Sequence, residues 1–193
     1  MTEVKEDGRF ERSKRNRQSI IDAMIKLIGE GIYIPTAQQV ADEAGITIRT
    51  VFRHFSEMDL LYKEIDDFCK PTYEKLFIFE EFSESLNDRV HELIDACINA
   101  YVELFHLEKA THVLMWRSEV IQSTYKRNQI LIRKTLLKIL PELKDSQKPY
   151  AIEIADAITS FEYFERLYSF QDLSVEDCKT ILRNRMIELV SEQ

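Results

Sequence analysis

Between Thr36 and His54 the chain collects side chains that can hold anions and read planar, hydrogen-bonding edges: Thr36, Thr47, Arg49, Thr50, Arg53 and His54. Arg49 and Arg53 are four residues apart, which on a helix places them one turn apart on one face. Arginine offers a flat fork of donors and is the commonest bidentate reader of guanine in the major groove. Threonine hydroxyls and helix N-termini donate to phosphate oxygens. Ile48 and Thr50 can touch a thymine methyl, and His54 can donate to a phosphate. A plainer reading competes, because Ile48, Val51, Phe52 and Phe55 also fall at i, i+3, i+4 and i+7, the period of a buried helix face. Val51 and Phe55 are expected inside, and the sequence leaves Ile48 and Phe52 open between core and nucleic acid.

Other chemistry has thinner support. The sequence contains no glycine-rich phosphate loop, no G-x-S-x-G elbow and no paired-histidine metal motif, so an enzyme is not expected. Glu108 and His112 share a helix face but have no third ligand in register, so neither a metal nor another cofactor is expected. Cys69, Cys97 and Cys178 stand far apart and read as reduced core thiols, with redox sensing as the alternative. Tyr101, Phe105, His112, Met115, Trp116 and Phe164 are candidates to line a small-molecule pocket. Aromatics at helical spacing are equally what a plain core uses.

The elements that must position these residues read as helices. Only four Gly and four Pro punctuate 193 residues, too few turn formers for a sheet protein. From Ser13 to Gly29, Ile21, Met24, Ile25 and Ile28 repeat with helical period, and Gly31 is placed to end that helix in a left-handed cap. Thr36 with Gln39 makes a capping box for a short second helix carrying Val40, Ala41 and Ala44 inward. Gly45, Ile46 and Thr47 then separate it from a third helix running to about Phe55. Two short helices joined by a three-residue, glycine-containing turn predict a helix-turn-helix. A fourth helix, with Ser56 and Asp59 at its start and Leu61, Ile65 and Phe68 on one face, is expected to end before Pro71.

The remainder reads as a helical body. Expected are a long helix over Ser83–Leu107, a less regular stretch to Ser123, and a helix from about Thr124 to Leu140. A polar loop over Pro141–Pro149 leads to two closing helices near Tyr150–Phe170 and Ser174–Val190. The first of the closing pair is apolar around most of its circumference, which requires cover on several sides. A partner subunit is one such cover, with Ile158, Phe161, Ile181, Leu182 and Leu189 as candidate interface residues. The division expected is a head over 1–63 and a body over 64–193. The head holds ten basic and ten acidic side chains, so the whole net charge of −8 falls on the body. Five of the basic groups cluster between Arg9 and Arg17 beside one acid, Glu11, an arm that can approach phosphates. A polar N-terminus and the lack of a run of about 18 apolar residues point to the cytoplasm, away from membranes.

The segment TAQQVADEAGITIRTVFRHF, Thr36 to Phe55, resembles the signature of the tetracycline-repressor family at nearly every position, and Arg17, Ile20 and Gly31 fit that pattern upstream. The likeness is specific over about residues 13–65. A weaker one covers SFEYFERL at 160–167 and QDLS at 171–174. The resemblance implies an all-α homodimer whose last two helices form a four-helix bundle with the partner. It also implies a body pocket whose small-molecule ligand, apolar or aromatic, releases the head from operator DNA. Carried over by position, the implied DNA contacts are Thr36, Thr47, Ile48, Arg49, Thr50, Phe52, Arg53 and His54. The chain departs from the pattern at Phe52, where a tyrosine is usual, and at Met58, where a lysine is usual. Lys63 and the Arg9–Arg17 arm are the cations that could replace that lysine. The function implied is a ligand-released repressor; the alternative is a DNA-bound adaptor that recruits a protein and has no small-molecule effector.

Overall fold

Few breakers and strong helical periodicity give helices almost everywhere. The computed structural model describes residues 3–76, 83–145 and 148–191. Residues 146 and 147 of the expected polar loop lie outside that description. Eleven helices and no strand occur among the described residues: α1 (Glu3–Gly29), α2 (Ala37–Glu43), α3 (Ile48–His54), α4 (Met58–Leu76), α5 (Leu86–Glu103), α6 (Phe105–Leu114), α7 (Glu119–Ile139), α8 (Glu142–Asp145), α9 (Ala151–Ile158), α10 (Phe161–Phe170) and α11 (Val175–Val190). None is long and apolar enough to cross a membrane. The all-α expectation holds.

The helices form two compact units, and the chain crosses between them more than once. One unit comprises Met1–Lys70 with His106–Tyr125; the other comprises Pro71–Phe105 with Lys126–Gln193. The expected boundary at 63/64 falls inside α4, and the unit that holds the helix-turn-helix also takes in α6 and the start of α7. The reason is packing. Ala110, Leu114 and Ile121 are buried in the same cluster as Ile20, Met24, Val40, Ala41, Val51, Phe55, Leu61 and Ile65. The later segment thus completes the apolar core that α1 to α4 share.

Local chemistry sets the ends. Gly31 has φ +87, and Ile32 N–H donates to Leu27 O at 3.0 Å while Gly31 N–H donates to Ile28 O at 2.9 Å. Gly45 repeats the motif with φ +65, and Ile46 N–H reaches Ala41 O at 3.0 Å. Both are glycine-terminated Schellman caps. The second forms the turn between α2 and α3.

Several expectations about helix ends are corrected. The stretch expected to be less regular up to Ser123 holds α6 and the start of α7, which begins at Glu119 rather than Thr124, and the expected polar loop contains α8. α1 begins at Glu3, ten residues before Ser13. α4 continues through Pro71 to Leu76; a proline removes one N–H donor but does not forbid continuation. The long helix expected to reach Leu107 stops at Glu103, shortly before the chain passes from one unit to the other after Phe105. The helix expected over Tyr150–Phe170 breaks at Thr159–Ser160. There Thr159 Oγ1 donates to Ala155 O at 2.9 Å and Ser160 accepts from Tyr163 N–H at 3.2 Å, so side chains take over the backbone pairing.

The second unit has its own core, where α5 and α11 contribute Val90, Ile94, Cys97, Ile98, Cys178, Leu182 and Met186. Charge pairs fasten its rim. Arg183 binds Asp95 at 2.5 Å and Glu176 at 3.2 Å, Arg133 of α7 bridges to Glu153 and Asp156 of α9, and Lys148 caps the carbonyls of Glu188 and Ser191 at the end of α11.

Candidate nucleic-acid interface

α2 and α3 are each seven residues long, too short to persist unaided; their ends are therefore pinned. Thr36 accepts from Gln39 N–H at 3.2 Å while Gln39 Oε1 accepts from Thr36 N–H at 2.9 Å, completing the expected capping box. Thr47 caps α3 by accepting from Thr50 N–H at 3.3 Å, and the Thr47 and Thr50 hydroxyls lie 3.0 Å apart. Val51 is fully buried and Phe55 is 4% exposed. These two anchor the inner face of α3, each contributing about 1.5–3 kcal/mol of burial.

With Val51 and Phe55 inward, the opposite face of α3 points out. Ile48 is 39% and Phe52 47% exposed, so these two members of the i, i+3, i+4, i+7 stripe, which flank Val51 and Phe55, are not covered by the chain's own core. Arg49 and Arg53 are exposed and form no ion pair among the described residues. Their donors are left available for a ligand outside the protein. Thr50 is half-buried and Thr36 and Thr47 are exposed.

His54 differs from the others. Its Nε2 is enclosed without a hydrogen-bond partner among the described residues. Burial first, then the charges of Arg53 and Arg17, holds the imidazole below the usual histidine range. It is neutral near pH 7, and its enclosed nitrogen faces protein.

The basic arm is helical from the start of α1. Arg9, Arg12, Lys14 and Arg15 are exposed and form no ion pair among the described residues. Met58, at the position where the resembling family has lysine, is half-buried against the head core, and Lys63 is exposed.

Several supporting residues are invisible at the level of motif. Lys26 of α1 pairs with Glu43 of α2 at 2.6 Å. Tyr62 of α4 donates to Tyr33 O at 3.0 Å. Tyr33 stacks on His106 with centroids 5.9 Å apart, its hydroxyl 3.1 Å from Nδ1. No sequence signal marks these pairs, because each joins residues from separate helices or loops.

The six candidate pocket residues divide between the units. Tyr101, Phe105 and Phe164 belong to the second. Tyr101 donates to Thr159 O at 2.6 Å and stacks on Phe164 at 6.0 Å, while Phe105 meets Phe161 and Tyr168 edge-on. His112, Met115 and Trp116 belong to the first. His112 meets Tyr125 edge-on at 5.3 Å, Met115 leans on the head core, and Trp116 is 80% exposed. A shallow groove of about 240 Å³ between α1 and α2 is lined by Ser19, Asp22, Ala23, Lys26, Glu43 and Ala44, none of which is a candidate pocket residue. Of the candidate interface residues, Leu182 is wholly covered by its own chain, Ile158, Phe161 and Leu189 are nearly so, and Ile181 keeps exposed surface. No group of three or more His, Cys, Asp or Glu that could hold a metal occurs among the described residues.

This arrangement, a capped two-turn helix with two free arginines on its outer face, is held in a fold that solved proteins share. A transcriptional regulator from Rhodococcus sp. Rha1 matches 91% of this chain and 96% of its own at 16% identity, with a TM-score of 0.66. NalD, the secondary repressor of the MexAB-OprM multidrug efflux pump in Pseudomonas aeruginosa, matches 95% of this chain and 99% of its own at 19% identity, with a TM-score of 0.61. The chain has the fold of these regulators. No protein-family model and no curated protein matches its sequence. The likeness lies in the backbone path along most of the chain, while most of the side chains differ.

Proposed function

We propose that this chain is a DNA-binding transcriptional regulator of the tetracycline-repressor type, working in the cytoplasm as a homodimer. The observation that carries the reading is the outer face of α3. Arg49 and Arg53 stand unpaired beside exposed Ile48 and Phe52, on a helix whose inner face is locked by Val51 and Phe55. A surface that spends two arginines and two large apolar groups on solvent is a recognition surface. The shared fold with known regulators supports the same reading.

In the dimer the two α3 segments would enter successive major grooves about 34–36 Å apart. Arg9, Arg12, Lys14, Arg15 and Lys63 would supply the phosphate attraction that the chain's net charge of −8 otherwise opposes. A small apolar or aromatic molecule bound by the body would release the DNA by favouring a conformation with a different α3 spacing. The resemblance around residues 36–55 supports that last element.

The test is selection of a duplex from a random-sequence pool, followed by gel-shift titration. Arg49→Ala and Arg53→Ala should each cost about 1–3 kcal/mol on the selected duplex and leave binding to an unrelated duplex nearly unchanged. A chain that selects no sequence at moderate salt would overturn the reading.

A further inference from the structure

We infer that Arg17, the last cation of the basic arm, is a positioning residue for the recognition helix and does not hold phosphate. The inference rests on the DNA-binding reading above. It begins from a difference within the run Arg9–Arg17. Arg9, Arg12, Lys14 and Arg15 are exposed and have no ion-pair partner among the described residues. Arg17 has two partners from two other helices. Its Nη2 lies 2.7 Å from Glu64 Oε2 on α4, and its guanidinium lies over the Phe55 ring, 4.8 Å from the centroid. Phe55 is the C-cap of α3.

One planar cation thus ties α1, α3 and α4 together at the end of α3 that carries Arg53 and His54. Arginine suits the place, because its fork meets a carboxylate while its flat face lies on an aromatic ring. A lysine could satisfy one of these partners but not both. The tie matters because α3 has only seven residues and takes its orientation from whatever holds its ends. Thr47 holds the start, Val51 the middle, and Phe55 beneath Arg17 the end. Release of that end would move Arg53 first, since it lies two residues from Phe55. Base reading would then suffer while the general attraction of the free arm for phosphate would not.

The experiment uses the full-length chain, the duplex that the wild type selects from a random-sequence pool, and an unrelated duplex of the same length, titrated over a salt series. Arg17→Lys keeps the charge but loses the plane, and Glu64→Gln keeps the shape but loses the charge. Both should weaken binding to the selected duplex on the order of tenfold, within the range expected for loss of one base-reading contact. Binding to the unrelated duplex and the slope of log Kobs against log salt should stay as in the wild type. A phosphate-holding Arg17 gives a different pattern: Arg17→Lys retains affinity, Glu64→Gln tightens binding by removing a nearby anion, and Arg17→Ala reduces the slope by about 0.9. Any of these results overturns the role, as does parallel weakening on both duplexes. If Arg17→Lys fails to fold, the sign of the Glu64→Gln effect decides the matter alone. A wild type that selects no duplex refutes the DNA-binding reading itself, whereas a selecting wild type matched by both variants refutes only the role of Arg17.

Discussion

Leu114 lies 59 residues beyond Phe55 in the sequence, yet both side chains are buried in one cluster. Leu114→Ala is therefore expected to loosen the helix-turn-helix from a distance in sequence. Leu114 is 5% exposed, so truncation removes nearly the whole burial of three carbons. At about 0.8 kcal/mol per carbon the transfer loss is about 2.4 kcal/mol. A cavity left unfilled adds to this, within the range of about 2–5 kcal/mol seen for such substitutions. We expect a loss of about 3 kcal/mol. Because the chain has two units, a single global unfolding curve would blur the effect. Amide hydrogen exchange resolves it by segment. Protection should fall in α1, α2 and α3 while the α5–α11 core stays near wild type. Val113→Ala is the matched control: Val113 is 41% exposed, and its truncation should change stability by no more than about 0.5 kcal/mol. Unchanged protection in α1 and α3 of the Leu114→Ala chain would show that residues 1–70 keep their own core and would refute the reasoning.

Other expectations follow from single residues. Gly45→Ala should destabilise by about 1–2 kcal/mol on backbone grounds, since φ is +65 and no atom crowds the added Cβ. Gly29→Ala, with equal space and no positive φ, should be stabilising; matched thermal melts read both signs. His54 should titrate below the usual value of about 6.5 when followed by NMR. The folded state then resists its protonation, so its contribution to stability is full above about pH 6.5 and is lost progressively as pH falls from there towards the folded value. A His54→Gln chain should lack that component, and a His54 titration at or above the usual value contradicts the burial argument. Burial pushes the Cys97 thiol up to about 12 and the Cys69 thiol up to about 11. Neither should react with a thiolate-selective reagent at pH 8 until denaturant is added; rapid labelling of the native chain would contradict this.

The head was the more legible half because its signals are local. Thr36 with Gln39, Gly45, and Thr47 are each read within one helical turn, and each does in the structure what its neighbours implied. Ile48 and Phe52 could not be settled in advance, because helical period gives a face without saying which neighbour covers it. The body was legible as helices but not in its breaks. No glycine or proline marks the end of α5 at Leu104, which lies just before the chain leaves one unit for the other at Phe105–His106. Thr159 and Ser160 did carry a signal, a hydroxyl pair able to compete for backbone partners, which the strong apolar stripe around them masked. Arg17 with Glu64, Lys26 with Glu43, and Tyr33 with His106 are products of tertiary packing.

The completion of the head core by Ala110, Leu114 and Ile121 also fixes an order of events during synthesis. When residues 1–70 first emerge, α1 to α4 present an open apolar floor, and it stays open until the chain has been extended past Ile121. A nascent or prematurely terminated product therefore carries the α3 side chains on an unfinished base. The core of this unit is complete only in a chain that extends past Ile121.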